Sequence, residues 1–394
     1  MKTPLQRLYL AQFLSAFVDN AIFFILLGLL KHHGVAAIDA TSRMDLYQAM
    51  FLLSFILFAP VVGAFAERNP KSFVLLVGNA IKAVGVIMFA VGMPAGLCYF
   101  IVGFGAVVYS PAKYGILTEL TRTPEQLLEA NGRLEGYTIM AILFGSALGG
   151  QMAEALPDLV NLMICFGMYV FSMIWANSIP RVQGTSNQSY VSAITAFFSD
   201  IMIIWRNPKT RFSLIGTAGF WMISAVLRLS MLVWLVEHLQ IESPAMQSAI
   251  VACTAVGIVI GALLAPKLIS MEKFYRAASV GVVLSIVLVV LVFSPGLWML
   301  IPMLLLVGAF GGLFVVPMNA VLQHEGKPLI GSGKVIAIQN FAENIFMIAG
   351  IGIFTVMKHS FPINTTIMLM AMILLGIVIY LISQIRTVSG GRGI

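Results

Sequence analysis

The chain has 394 residues, of which 60% are hydrophobic and only 10% charged, against roughly 25% charged in ordinary soluble domains. A mean hydropathy of +0.98 excludes a water-soluble fold of this length, and with it disorder, collagen and coiled coil. The net charge of +7 has no soluble basic face to occupy and does not signal nucleic-acid binding. What remains is a polytopic, all-α membrane protein.

Helices follow because backbone in lipid must pair internally, and the apolar runs here are continuous, not alternating. A span needs roughly 20 apolar residues, so this length holds about twelve spans. In chain order the first is 8–30, carrying Gln12, Ser15 and Asp19 on one stripe with Asn20 alongside. That polar interior and the lack of a small-residue cleavage site argue against a removable signal peptide. Span 2 is 46–66. The loop after it reads Gly63-Ala-Phe-Ala-Glu67-Arg68-Asn-Pro-Lys71. Span 3 is 73–93, with Asn79 and Lys82 on one face. Span 4, 97–118, is glycine-rich from Val102 to Pro111 and places Lys113 one turn after Tyr109. Span 5 is 131–153, with Glu135 near its start, and span 6 is 158–180.

The stretch 181–210 is the one long polar interruption. It opens as a flexible linker, then carries Tyr190, Ile194, Phe197, Ile201 and Ile204 at helical spacing. That pattern predicts a short amphipathic helix on the cytoplasmic leaflet. Span 7 is 211–238, with Trp221, Ser224 and Arg228 on one stripe. Spans 8 and 9 are 246–270 and 275–294. Span 10, 297–322, repeats the glycine-rich pattern from Val307 to Pro317. Span 11, 332–357, holds Gln339, Asn340, Glu343 and Asn344, and span 12 is 363–386. The expected organisation is therefore an N-terminal six-helix bundle over 1–180, a cytoplasmic linker over 181–210 and a C-terminal six-helix bundle over 211–394.

Orientation follows from the loops. With both termini in the cytoplasm, seventeen of the 23 Lys and Arg residues lie inside, three outside, and three within spans. This asymmetry is the positive-inside pattern. Six ionisable residues fall within the spans: Asp19, Lys82, Lys113, Glu135, Arg228 and Glu343. A charge at mid-bilayer costs ~2.5–3.5 kcal/mol or more, so such residues are functional by default. Three of each sign point to ion pairs in a polar cavity. Asp19, Lys113, Arg228 and Glu343 are the main candidates for substrate binding and gating. Lys82 and Glu135 read more readily as structural. Cys98, Cys165 and Cys253 lie inside apolar runs and read as buried thiols.

The paired glycine-rich spans, read as close packing or as gating elements, support a duplication. The loop of Gly63, Glu67, Arg68 and Lys71 resembles the loop signature of the major facilitator superfamily, with Glu67 for the usual Asp and Pro70 for a usual Gly. The resemblance implies the major facilitator fold, with twelve helices in two halves. It also implies that the loop staples those halves through charge pairs and helix ends. In that fold spans 1 and 7 face each other, so an Asp19–Arg228 pair is expected.

Four longer strings resemble bacterial lysophospholipid transporters. They are Ala11-Gln-Phe-Leu-Ser-Ala-Phe-Val-Asp19-Asn20, Tyr109-Ser-Pro-Ala-Lys113-Tyr-Gly-Ile-Leu-Thr-Glu119-Leu, Trp205-Arg-Asn-Pro-Lys-Thr-Arg211-Phe-Ser-Leu and Val335-Ile-Ala-Ile-Gln339-Asn-Phe-Ala-Glu343-Asn. The resemblance implies movement of lysophospholipids from the outer to the inner leaflet of the bacterial inner membrane. It implies a separate acyltransferase or acyl-carrier-protein synthetase as functional partner, since the chain ends directly after span 12. It also implies headgroup and gating roles for Asp19, Lys113, Arg228 and Glu343. The chemistry agrees: an arginine fork suits phosphate, and a carboxylate suits an ammonium.

Two rivals stay open. A proton-coupled exporter of amphipathic drugs would use Asp19 or Glu343 as a protonating carboxylate. A membrane acyltransferase would need a His base with Asp five residues on. None of His32, His33, His238, His324 and His359 has one. No metal cluster, phosphate-binding glycine loop or nucleophile elbow is present in the sequence. No cofactor and no enzymatic activity are expected.

Overall fold

The computed structural model describes residues 3–121, 124–181 and 190–389. Certain side chains within those stretches, Glu67 and Glu135 among them, lie outside the description, as does the opening of the linker, 182–189. The described chain is helical throughout. The first six long helices are α1 (Pro4–His32), α2 (Ala37–Arg68), α3 (Lys71–Ala90), α4 (Ala95–Leu120), α5 (Pro124–Ala155) and α6 (Asp158–Asn177). A shorter α7 (Tyr190–Arg206) follows. Then come α8 (Pro208–Leu239), α9 (Pro244–Leu268), α10 (Ala277–Leu291), α11 (Leu297–Ile330), α12 (Ser332–Ser360) and α13 (Ile363–Ser383), with a last turn α14 (Ile385–Val388).

The helix starts have local causes. Thr3 and Gln6 form a reciprocal capping box ahead of Pro4, which satisfies two orphan N–H groups. Asn207 accepts from the N–H groups of Lys209 and Thr210 and so starts α8, with Pro208 as its first residue. Gly34, Gly92 and Gly331 supply positive φ in the links, a conformation that costs glycine little.

Eleven of the described helical segments are long and apolar enough to cross a membrane, α10 being counted together with the 3-10 turn Met271–Arg276 that leads into it. The expected span 5 is the exception. Its helix, α5, has 32 residues, but Gly145, Ser146, Gly149, Gly150 and Gln151 dilute its apolar stretch.

The chain divides into two compact units, one of Met1–Phe197 with Ser243–Ala249, the other of Phe198–Glu242 with Ile250–Ile394. In the first, α1 packs on α5 and α6, and α3 packs on α4 and α6. In the second, α8 packs on α12 and α13, and α10 packs on α11 and α13. Each of these pairings recurs six spans later, which is the mark of an internal duplication. Small residues permit the closest crossings. A Cβ at Gly105 would meet the Gly78 carbonyl of α3, and one at Gly103 would meet α2 at Phe51. In the second unit Gly308 and Gly312 of α11 lie against the backbone of α9. The glycines of spans 4 and 10 therefore act as packing surfaces, the usual use of small residues between helices in lipid.

The apolar stripe expected on α7 is divided in the structure. Phe197 and Ile204 are buried in the protein, whereas Tyr190 and Ile194 of the same expected stripe are exposed. Val191, Phe198, Met202 and Trp205 form a second exposed apolar face. The helix is apolar on more than one side, so spacing alone did not separate its inner face from its outer one. Asp200 pairs with Lys334 at 2.8 Å and ties α7 to the start of α12.

Candidate functional site

The polar centre of the first unit is built on α1, α3 and α6. Lys82 Nζ donates to Asp19 Oδ2 at 2.6 Å. Tyr169 Oη donates to the other carboxylate oxygen, Oδ1, at 2.8 Å. The lysine side chain is 1% exposed and the aspartate 19%, so Asp19 is the accessible member of the pair. Beneath it runs a directed chain. Lys82 Nζ donates to Ser15 Oγ at 2.9 Å, and Ser15 donates to Asn79 Oδ1 at 2.7 Å. Asn79 Nδ2 donates to Ser172 Oγ at 2.8 Å, and Ser172 donates to the Ala11 carbonyl at 2.7 Å. Each serine hydroxyl in this chain both donates and accepts, which is what makes a buried polar network tolerable. Tyr109 and Tyr169 present their rings to the ammonium, with centroids 5.1 and 5.7 Å from Nζ. Such contacts favour a desolvated cation.

Sequence reasoning placed Ser15, Asp19 and Tyr109 among the site residues, and the structure brings all three to this centre. It gave Lys82 a structural reading, yet Lys82 supplies the counter-charge of Asp19 within the unit. The expected partner, Arg228, belongs to the other unit. Tyr169 and Ser172 are not among the residues that the sequence points to. The available signal was their i, i+3 spacing in the apolar middle of span 6, between Leu162 and Ala176. Gln12 instead faces α5, donating to Thr138 Oγ1 at 3.0 Å. Asn20 donates back to the Ala16 carbonyl of its own helix. Lys113 is half-buried, its ammonium 4.7 Å from the Tyr114 ring centroid.

The second unit holds a different arrangement. Glu343 of α12 is buried, and its Oε1 accepts from Gln339 Nε2 at 2.8 Å. The same amide donates to Asn319 Oδ1 of α11 at 2.8 Å. Among the described residues Glu343 forms no ion pair. Asn344 is buried and donates to the Asn340 carbonyl. On α8, Trp221, Ser224 and Arg228 form a half-buried face, while Met222, Ile223, Val226 and Leu227 are buried behind it. The stripe expected in span 7 is thus the more open side of that helix.

The loop motif is partly visible. Gly63 has open space around its Cα, and the Arg68 guanidinium lies 4.7 Å from the Tyr190 ring centroid. Lys71 Nζ donates to the Ala66 carbonyl at the end of α2, where a cation complements the helix dipole. Glu67 and Glu135 lie outside the described side chains. No group of His, Cys, Asp or Glu able to hold a metal occurs among the described residues. Cys98 and Cys165 are buried and Cys253 partly so, all three as free thiols.

These features describe a helical membrane protein with opposite charges paired inside its spans, the make-up of a secondary transporter. The chain matches the Major Facilitator Superfamily model over residues 8–351. It is 39% identical to the lysophospholipid transporter LplT of Klebsiella pneumoniae over 347 residues, 88% of this chain and 86% of that one. It is 37% identical to the transporter of the same name from Photorhabdus laumondii over 366 residues, 92% and 90% of the two chains. Among solved structures it resembles a POT family transporter in complex with 5-aminolevulinic acid, with a TM-score of 0.75 at 11% identity. That match covers 98% of this chain and 96% of the other. The human organic anion transporter MFSD10 gives a TM-score of 0.72 at 13% identity, covering 96% and 100%. At such identities these structures show the fold alone. The chain belongs to the bacterial lysophospholipid transporter family of the major facilitator superfamily.

Proposed function

We propose that this protein is a transporter, not an enzyme, that moves lysophospholipids from the outer to the inner leaflet of a bacterial inner membrane. Both termini face the cytoplasm, and a separate acyltransferase restores the diacyl lipid. The observation that carries the reading is 37–40% identity to transporters of that name over about nine-tenths of the chain. The chemistry of the spans supports it. A lysophospholipid headgroup carries an anionic phosphate and, in lysophosphatidylethanolamine, an ammonium. Arg228, on the half-buried face of α8, takes the phosphate through its planar fork. Asp19, partly exposed above Lys82, receives the cationic end. Lys113 and Glu343 act in gating.

The test is uptake of labelled lysophosphatidylethanolamine by cells lacking their own transporter, with the diacyl lipid as control. Wild type should carry only the single-chain lipid. Arg228→Ala should lower uptake at least about tenfold, the scale of a lost charge-assisted hydrogen bond worth ~1.5–3 kcal/mol. Arg228→Lys should recover little of it. Wild-type uptake by Arg228→Ala would remove Arg228 from phosphate recognition, and uptake of neither lipid by wild type would sink the assignment.

One observation favours a second reading, a proton-coupled exporter of amphipathic compounds. Glu343 is buried, held by a neutral amide and in no ion pair among the described residues. Transport of a non-lipid amphiphile that collapses with an uncoupler would support that reading over the first.

A further inference from the structure

Two observations meet at Asp19. Its carboxylate is the accessible end of the buried network, at 19% exposure, and the cation beneath it is sealed off at 1%. The seal is thorough. Lys82 Nζ is held by Asp19 and Ser15, flanked by the rings of Tyr109 and Tyr169, and tied through Asn79 to Ser172. A headgroup that reaches Asp19 meets a carboxylate whose charge is already cancelled from below. Such a point neither demands a cation nor repels an anion strongly, because the two charges of the pair offset each other.

We propose that Lys82 is a specificity-determining residue. By neutralising Asp19 from beneath, it lets the transporter accept zwitterionic and anionic headgroups alike. Lys82 is a positioning residue in this scheme: it never touches the lipid, and it acts through the net charge that Asp19 presents. The proposal rests on the reading of Asp19 as a headgroup contact. It goes beyond that reading in assigning the range of headgroups to a residue outside the path.

The experiment compares transport of lysophosphatidylethanolamine, which is net neutral, with lysophosphatidylglycerol, which is net negative. Purified protein in vesicles is used, normalised to monodisperse protein. Lys82→Met leaves Asp19 as a bare anion and should lower the glycerol lipid relative to the ethanolamine lipid by about fivefold, as like charge at a recognition point does. Lys82→Arg keeps the charge and should keep the wild-type ratio. Asp19→Asn should lower total transport and shift the ratio the opposite way. The double variant Asp19→Asn with Lys82→Met should bring the ratio back toward wild type.

A purely structural lysine would lower both lipids together and leave the ratio alone. If Lys82→Met yields no folded protein, the double variant is compared with Asp19→Asn alone, and the same relative loss of the glycerol lipid is expected. Should Asp19→Asn carry both lipids like wild type, Asp19 is not a headgroup contact and both ideas fall. If Asp19→Asn is impaired while removing Lys82 leaves the ratio within twofold in either background, this proposal alone is overturned.

Discussion

Two of the intramembrane carboxylates, Asp19 and Glu343, have unlike surroundings. Asp19 has a lysine, a tyrosine hydroxyl and a chain of serines and an asparagine beneath it, whereas Glu343 has the Gln339 amide. A third carboxylate, Glu119, lies beyond the apolar part of α4 and gives a residue-scale prediction. Burial raises its pKa, and the nearby Lys71 ammonium opposes the shift. A carboxylate raised in the folded state binds more protons there than in the unfolded chain, so its contribution to stability falls as pH rises through that window. Glu119→Gln removes the effect. The variant should therefore match wild type in mildly acidic buffer and become progressively the more stable of the two toward neutral pH. Thermal unfolding of detergent-extracted protein at several pH values checks this. An advantage that instead grows as pH falls would show the sign to be wrong.

At the scale of elements, crossings are set by which glycines have neighbours. A Cβ at Gly257 of α9 would strike the Leu305 carbonyl and lie 2.9 Å from the Gly308 Cα. Backbone cannot swing aside as a flexible side chain can, so Gly257→Ala should destabilise by ~1–3 kcal/mol, the usual range for overpacking. Gly63 of α2 has no heavy atom within 4 Å of such a Cβ. Gly63→Ala should leave stability unchanged or raise it by up to about 0.5–1 kcal/mol, since alanine loses less backbone freedom in a helix. Thermal stability of the two purified variants separates these cases. Equal losses would mean that the α9 and α11 backbones are not in contact. Lys71 shows the same local logic by closing the end of α2, whatever longer-range task the loop motif performs.

At the scale of the whole molecule, the distribution of loop charge predicts which side each link faces. Single cysteines at Ala36 and at Asn187, the latter outside the described residues, are placed in a background with Cys98, Cys165 and Cys253 replaced. In intact cells an impermeant thiol reagent should label position 36 and spare position 187 until the membrane is opened. Labelling of 187 in sealed cells would invert or break the topology. The recurrence of helix pairings six spans apart belongs to this scale too. It shows a duplication that the sequence carried only as two glycine-rich strings.

Hydropathy by itself determined that the chain is a helical membrane protein and where most spans lie. Lipid leaves the backbone no other way to pair, so the apolar runs translate directly into helices. Loop charge set the expected orientation, and four strings of residues pointed to the family. The depth of each ionisable residue was equally legible, since it is counted along one helix. Partners were not. Lys82 and Asp19 are 63 positions apart on helices that meet only when the bundle assembles, and Tyr169 lies another 87 positions beyond Lys82. One-dimensional spacing can state which residues share a stripe, but not which stripes face each other. The matching depth of spans 1 and 7 therefore favoured Arg228 for Asp19. Within the first unit the packing of α1, α3 and α6 brought Lys82 and Tyr169 to Asp19 and Ser172 to the chain beneath it, because hydrogen-bond directions and side-chain reach are fixed only in the folded bundle.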